Sequence, residues 1–126
     1  MSSESELRIT SLQLAVLRAL WSAREATVTE VHAAMQSERA LAVTTVATLL
    51  KRLEARGILT HRTEGRQYIY RALVGADEVG RTMTSELVDD VYEGDVTGLF
   101  AHLLDAKSVT AEDLKEIKRM IREAEK

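Results

Sequence analysis

The residues with the clearest chemical potential lie between Ala42 and Arg56. At about 100° per residue, Thr44, Thr48, Lys51, Arg52 and Ala55 fall on one side of a helix, with Thr45 at its edge near the first turn. Val46, Leu49, Leu50 and Leu53 fall on the other. One face therefore anchors in a core while the other offers hydroxyl, ammonium and guanidinium groups. Hydroxyls and open backbone N–H groups in a first helical turn suit phosphates, and a Thr methyl suits thymine. Lys51 or Arg52 can reach a guanine edge or a phosphate one turn further on. Arg62 and Arg66 follow at the tip of an expected two-stranded hairpin, where they can enter the adjacent minor groove or neutralise its flanking phosphates. Exposed Thr and Arg are ordinary surface residues, so their common placement on a nonpacking face carries the inference.

Other chemistries find less support. His32, His61 and His102 are scattered, there is no His-Glu-x-x-His helix or phosphate-cradling glycine loop, and no nucleophile has a visible base. An enzyme, a metal site and a bound cofactor are not expected. Cys is absent, which removes disulfides, thiolate ligands and Cys nucleophiles together. Met83, Met120 and Phe100 read as packing residues. The net charge of −3 conceals an asymmetry. Arg39, Lys51, Arg52, Arg56, Arg62, Arg66 and Arg71 face only Glu54 and Glu64 between positions 39 and 74, a net +5, while residues 75–126 are strongly acidic. Such a split favours nucleic-acid contact by the front part alone.

The surrounding elements must hold that face outward. Thr10-Ser11-Leu12-Gln13 has the form of a capping box, and Leu14, Val16, Leu17, Leu20 and Trp21 continue as an apolar stripe to about Ser22. Thr27 to Glu30 repeats the signature before Val28, Val31 and Met35, a second helix ending near Gln36, with room for a short strand over 26–28. Gly57 fits a left-handed cap after the third helix. Ile58 to Thr63 and Gln67 to Leu73 form a hairpin joined through Glu64-Gly65-Arg66, with Tyr68 and Tyr70 alternating with Gln67, Ile69 and Arg71. The expectation is a mainly α protein with a small β-hairpin. It comprises a winged helix-turn-helix DNA-binding domain over 1–74 and a helical dimerisation domain over 75–126.

Three helices are expected in that second region. Val79, Met83, Leu87 and Val91 fall in one line, Leu99, Phe100, Leu103 and Leu104 form a second apolar face, and Leu114, Ile117 and Ile121 a third. A region of this size holds a marginal core alone, so these stripes are expected to form a homodimer interface. Residues 1–10 are polar and no apolar run reaches the ~18 residues that cross a bilayer, so the expected location is cytoplasmic, with no membrane partner. Since a fold does not dictate its use, the rival function is a winged-helix module that binds another protein.

The run from Leu41 to Leu53, with Gly57 and Gly65-Arg66-Gln67-Tyr68-Ile69-Tyr70, resembles the penicillinase-repressor (BlaI/MecI/CopY) family. The likeness extends from the N-terminal helix through Leu20-Trp21 to Gly98-Leu99-Phe100-Ala101-His102-Leu103 and Leu114. It implies a transcriptional repressor that binds a palindromic operator in double-stranded DNA as a homodimer through its C-terminal helices. By position it implies that Thr44, Thr45, Thr48 and Arg52 contact DNA from the recognition helix and that Arg62 and Arg66 do so from the wing. Three departures stand out. Val43 occupies a place where the family often has an aromatic residue. Beta-lactam-responsive members are cut by a sensor-pathway protease at an Asn-Phe bond, where this chain has His102-Leu103. Copper-responsive members use C-terminal Cys ligands, of which this chain has none.

Overall fold

The computed structural model describes residues 8–126; most of the polar N-terminal stretch considered above lies outside the described residues. The elements run α1 (Ser11–Ala23), β1 (Ala26–Thr27), α2 (Val28–Met35), α3 (Val43–Ala55), β2 (Leu59–Glu64) and β3 (Gln67–Ala72). Then follow α4 (Ala76–Asp90), α5 (Val96–Asp105) and α6 (Ala111–Ala124). Two compact units divide at Thr84/Ser85, inside α4 and not at the expected Val74 boundary.

Both N-terminal capping boxes form. The Thr10 hydroxyl accepts from the Gln13 N–H at 3.2 Å while the Gln13 amide oxygen accepts from the Thr10 N–H at 3.0 Å. Thr27 and Glu30 repeat the exchange at 3.2 and 2.8 Å. Each box satisfies donors that a helix start otherwise leaves open. At the far end of α3, Gly57 takes φ +77°, its N–H donates to the Glu54 carbonyl and the Ile58 N–H donates to Leu53. This Schellman closure turns the chain into the hairpin and buries Ile58 beside the core.

One core joins these elements. Val16, Leu17 and Leu20 of α1, Val31 and Met35 of α2, and Val46, Leu50 and Leu53 of α3 are buried against Ile58, Leu59 and Tyr70. Trp21 flanks it, and its indole N–H donates to the Val74 carbonyl at 2.9 Å, so this large side chain packs without stranding a polar atom. The sheet has order β1-β3-β2, all antiparallel. The short strand at Ala26–Thr27 does form and pairs with Tyr70 and Ile69, making the expected hairpin three-stranded. Gly65 and Arg66 alone make its turn, and φ +61° at Gly65 is what a type II′ turn requires at its first central position.

Three residues expected at a subunit seam, Val79, Met83 and Leu99, pack within the single chain. Val79 is 2% exposed and belongs to the core of the first unit, with Met83 packed against it. The line Val79, Met83, Leu87 and Val91 is thus divided: its first half completes the winged-helix core, and Leu87 and Val91 remain exposed. Leu99 is likewise buried within the single chain. In the second unit Asp95 caps α5 by accepting from the Gly98 N–H, and Thr110 with Asp113 boxes the start of α6. Phe100, Leu103, Leu104, Leu114 and Ile121 are exposed, and Ile117 is half-buried. Among the described residues no helix is long and apolar enough to cross a membrane.

Candidate nucleic-acid interface

The approach to α3 is held by a short network. His32 Nε2 lies 2.8 Å from the Leu41 carbonyl, and the Gln36 amide donates to the same oxygen at 3.1 Å. These contacts tie the turn between α2 and α3 to α2, so the two helices keep a defined relation. Ala42 precedes α3 without a side-chain cap, unlike the boxed starts of α1, α2 and α6. The positive end of the α3 dipole is therefore not occupied by its own side chains.

The two faces of α3 separate as its spacing predicts. Val46, Leu50 and Leu53 are fully buried, while Thr44, Thr45, Thr48, Lys51 and Arg52 are exposed. Val43, 45% exposed at the first helical position, adds an apolar patch to the same start. Thr48 departs from a free hydroxyl, because its Oγ1 donates to the Thr44 carbonyl at 3.0 Å. It can still accept, and its methyl remains available to an apolar partner.

The sheet distributes the wing residues to opposite faces. Leu59 pairs with Ala72, His61 with Tyr70 and Thr63 with Tyr68, and opposed residues share a face. Leu59 and Tyr70 bury that face toward the helices. Thr60 with Arg71, Arg62 with Ile69 and Glu64 with Gln67 occupy the outer one. Arg62 is thus not at the hairpin tip. Its guanidinium donates to Glu25 at 2.8 and 3.3 Å and to Glu64 at 2.7 Å. The hydrogen bond from Arg62 holds the Glu25 carboxyl below the usual carboxylate range, and the two carboxylates in turn raise the affinity of Arg62 for its proton. Arg62, expected as a wing contact, here clamps the α1–β1 connection to β2 through these two carboxylates.

The cations divide accordingly. Arg39 donates to the Ser11 hydroxyl, Arg56 to the Arg8 carbonyl and to Gln13, and Arg62 to its two carboxylates. The side chains of Lys51, Arg52 and Arg66 have no hydrogen-bond or ion-pair partner among the described residues, and Arg71, on the outer face, acts on Glu25 electrostatically without pairing with it. Lys51 and Arg66 also border one groove of about 410 Å³, with Thr27, Ala47, Gln67, Tyr68 and Tyr70 among its other walls. Burial pushes the Tyr70 phenol up, with the Glu54 carboxylate adding to the effect.

Sequence reasoning missed Tyr68. It is 47% exposed on the wing face turned toward α3, and the period-2 alternation with Tyr70 carried the information. Among the described residues no cluster of His, Cys, Asp and Glu is arranged to hold a metal.

A trihelical core whose third helix presents an open polar face, followed by a twisted hairpin beside that face, defines a winged helix-turn-helix protein. The family model described as penicillinase repressor matches residues 9–123, and the chain belongs to that family. It is 32% identical over 120 residues to a protein of Mycobacterium tuberculosis named transcriptional regulator BlaI, a match covering 94% of this chain and 86% of that one. Among solved structures, the DNA-binding domain of the repressor BlaI matches with TM-score 0.51 and 25% identity, over 56% of this chain and 87% of that one. Bacillus licheniformis BlaI in its monomeric form, in complex with the blaP half-operator, matches with TM-score 0.50 and 25% identity over the same shares of the two chains.

Proposed function

We propose that the protein is a transcriptional repressor that binds a palindromic operator in double-stranded DNA as a homodimer. The carrying observation is the division of α3: Val46, Leu50 and Leu53 are sealed in the core while Lys51 and Arg52, without partners among the described residues, stand on the exposed side with Thr44 and Thr45. In this reading α3 enters the major groove, where Arg52 or Lys51 takes a guanine edge or phosphate and the Thr44, Thr45 and Thr48 methyls and hydroxyls meet bases and backbone. Arg66, at the hairpin turn, neutralises a phosphate or enters the adjacent minor groove. The second unit supplies the self-association: Leu87, Val91, Phe100, Leu103, Leu104, Leu114, Ile117 and Ile121 make the interface, and two-fold symmetry of the dimer answers the palindrome. Action on operator DNA requires a cytoplasmic location. Induction by a sensor-pathway protease is left out of this function, since His102-Leu103 replaces the bond that such a protease cuts.

Selection of duplexes from a random-sequence library by the purified protein, followed by gel-shift titration, tests this. The expected result is enrichment of an inverted repeat and weaker binding by Arg52→Ala at unchanged dimer content. No enrichment over input DNA at low salt would remove the function, leaving the protein-binding module as the alternative.

A further inference from the structure

The groove beside α3 contains an aromatic side chain with a support of its own. His61 Nδ1 lies 2.5 Å from Oε2 of Glu54, near the end of the recognition helix, and the His61 ring stacks on Tyr68 with centroids 3.9 Å apart and planes at 11°. Tyr70 closes the cluster, tilted to His61 at 5.5 Å and edge-on to Tyr68 at 6.2 Å. A half-exposed tyrosine on a hairpin ordinarily samples several rotamers. Here one ring face is occupied by an imidazole that is itself held by a carboxylate of another element, so the phenol is placed before any ligand arrives. Its hydroxyl has no partner among the described residues, and the groove it lines also carries Lys51 and Arg66.

A phenol donor, an ammonium and a guanidinium around a groove open to solvent match a phosphodiester: one strand of a sugar–phosphate backbone offers anionic oxygens and an apolar deoxyribose edge. We infer that this groove seats one strand of the operator backbone, that Tyr68 donates a hydrogen bond to a phosphate there, and that His61, braced by Glu54, is the positioning residue for Tyr68. The inference rests on the DNA-binding function proposed above and adds two residues that the α3 face and the wing cations do not include. It also links recognition helix and wing, because Glu54 belongs to α3 and Tyr68 to β3.

The test uses the full-length protein and a duplex that the wild-type chain has enriched from a random-sequence library. Loss of one hydrogen bond to a charged oxygen costs about tenfold, so Tyr68→Phe, which removes one from each subunit of the proposed dimer, predicts about hundredfold weaker binding, and Tyr68→Ala should lose somewhat more. His61→Ala should weaken binding about fivefold in the wild-type background and leave it unchanged in the Tyr68→Ala background, since a residue acting through Tyr68 has nothing left to position. Thermal melts keep misfolding apart from lost contact, and Tyr68→Phe retains the ring if Tyr68→Ala fails to fold. Wild-type affinity in Tyr68→Phe overturns the phosphate contact. Equal losses from His61→Ala in both backgrounds overturn the positioning role. Failure of the wild-type chain to enrich any duplex would instead refute the DNA-binding function itself.

Discussion

Arg62 and Arg66 stand four positions apart, and sequence alone gives them the same role, yet their surroundings predict opposite behaviour toward salt. Lys51 and Arg52 on the open face of α3 and Arg66 at the hairpin turn have side chains without intramolecular partners among the described residues, whereas Arg71 lies on the outer face of the sheet, near enough to Glu25 to act on it. If each neutralises one phosphate, the proposed dimer makes about six such contacts, and log K against log salt should fall with a slope near −5. Across the fourfold change from about 50 to 200 mM salt, that slope means a loss of about 10³ in affinity. Arg66→Ala removes one contact from each subunit, which flattens the slope by about 2 and reduces the loss over the same window to about 10². Arg62→Ala removes a cation already held by Glu25 and Glu64, so no counterion release is lost and the slope stays near −5. This holds even where absolute affinity drops through the two carboxylates left unneutralised. Fluorescence anisotropy of a labelled, wild-type-selected duplex over a salt series gives both slopes. A flattening by Arg62→Ala equal to that by Arg66→Ala would show that the guanidinium leaves its carboxylates for DNA, and the division of the cations would be wrong.

Other consequences are independent of salt. The two halves of the α4 stripe should respond differently to a charge. Leu87→Asp should yield folded monomers in sedimentation, whereas Val79→Asp should lower the melting temperature of the winged-helix unit itself; an undisturbed dimer in the first case, or unchanged melting in the second, counts against the assignment. The Glu25 carboxyl, depressed by Arg62, contributes stability above the ordinary carboxylate range that is lost as pH falls through its lowered folded pKa. Titration of the Glu25 side chain by NMR should show its midpoint rising toward the ordinary value in Arg62→Met, and an unmoved midpoint would exclude the ion pair as its cause.

Much of the molecule was legible from short-range pattern. The capping boxes at Thr10 and Thr27, the Gly57 closure and the opposition of Val46, Leu50 and Leu53 to Thr44, Lys51 and Arg52 are all settled within a few residues along the chain, where helical period and backbone valence leave few options. The same period could not say which partner an apolar stripe would meet. Val79 and Leu87 look equivalent as a pattern, but only the first lies where the core of α1, α2 and the sheet needs filling. Nor could the spacing of basic residues tell a free cation from a paired one, because Glu25 meets Arg62 across 37 positions and Glu54 meets His61 only once the hairpin folds back along α3. Local sequence determined the elements and their faces; the three-dimensional packing decided which charges remain open to a ligand and set Tyr68 beside Lys51, since those encounters depend on distances between segments that no local repeat encodes.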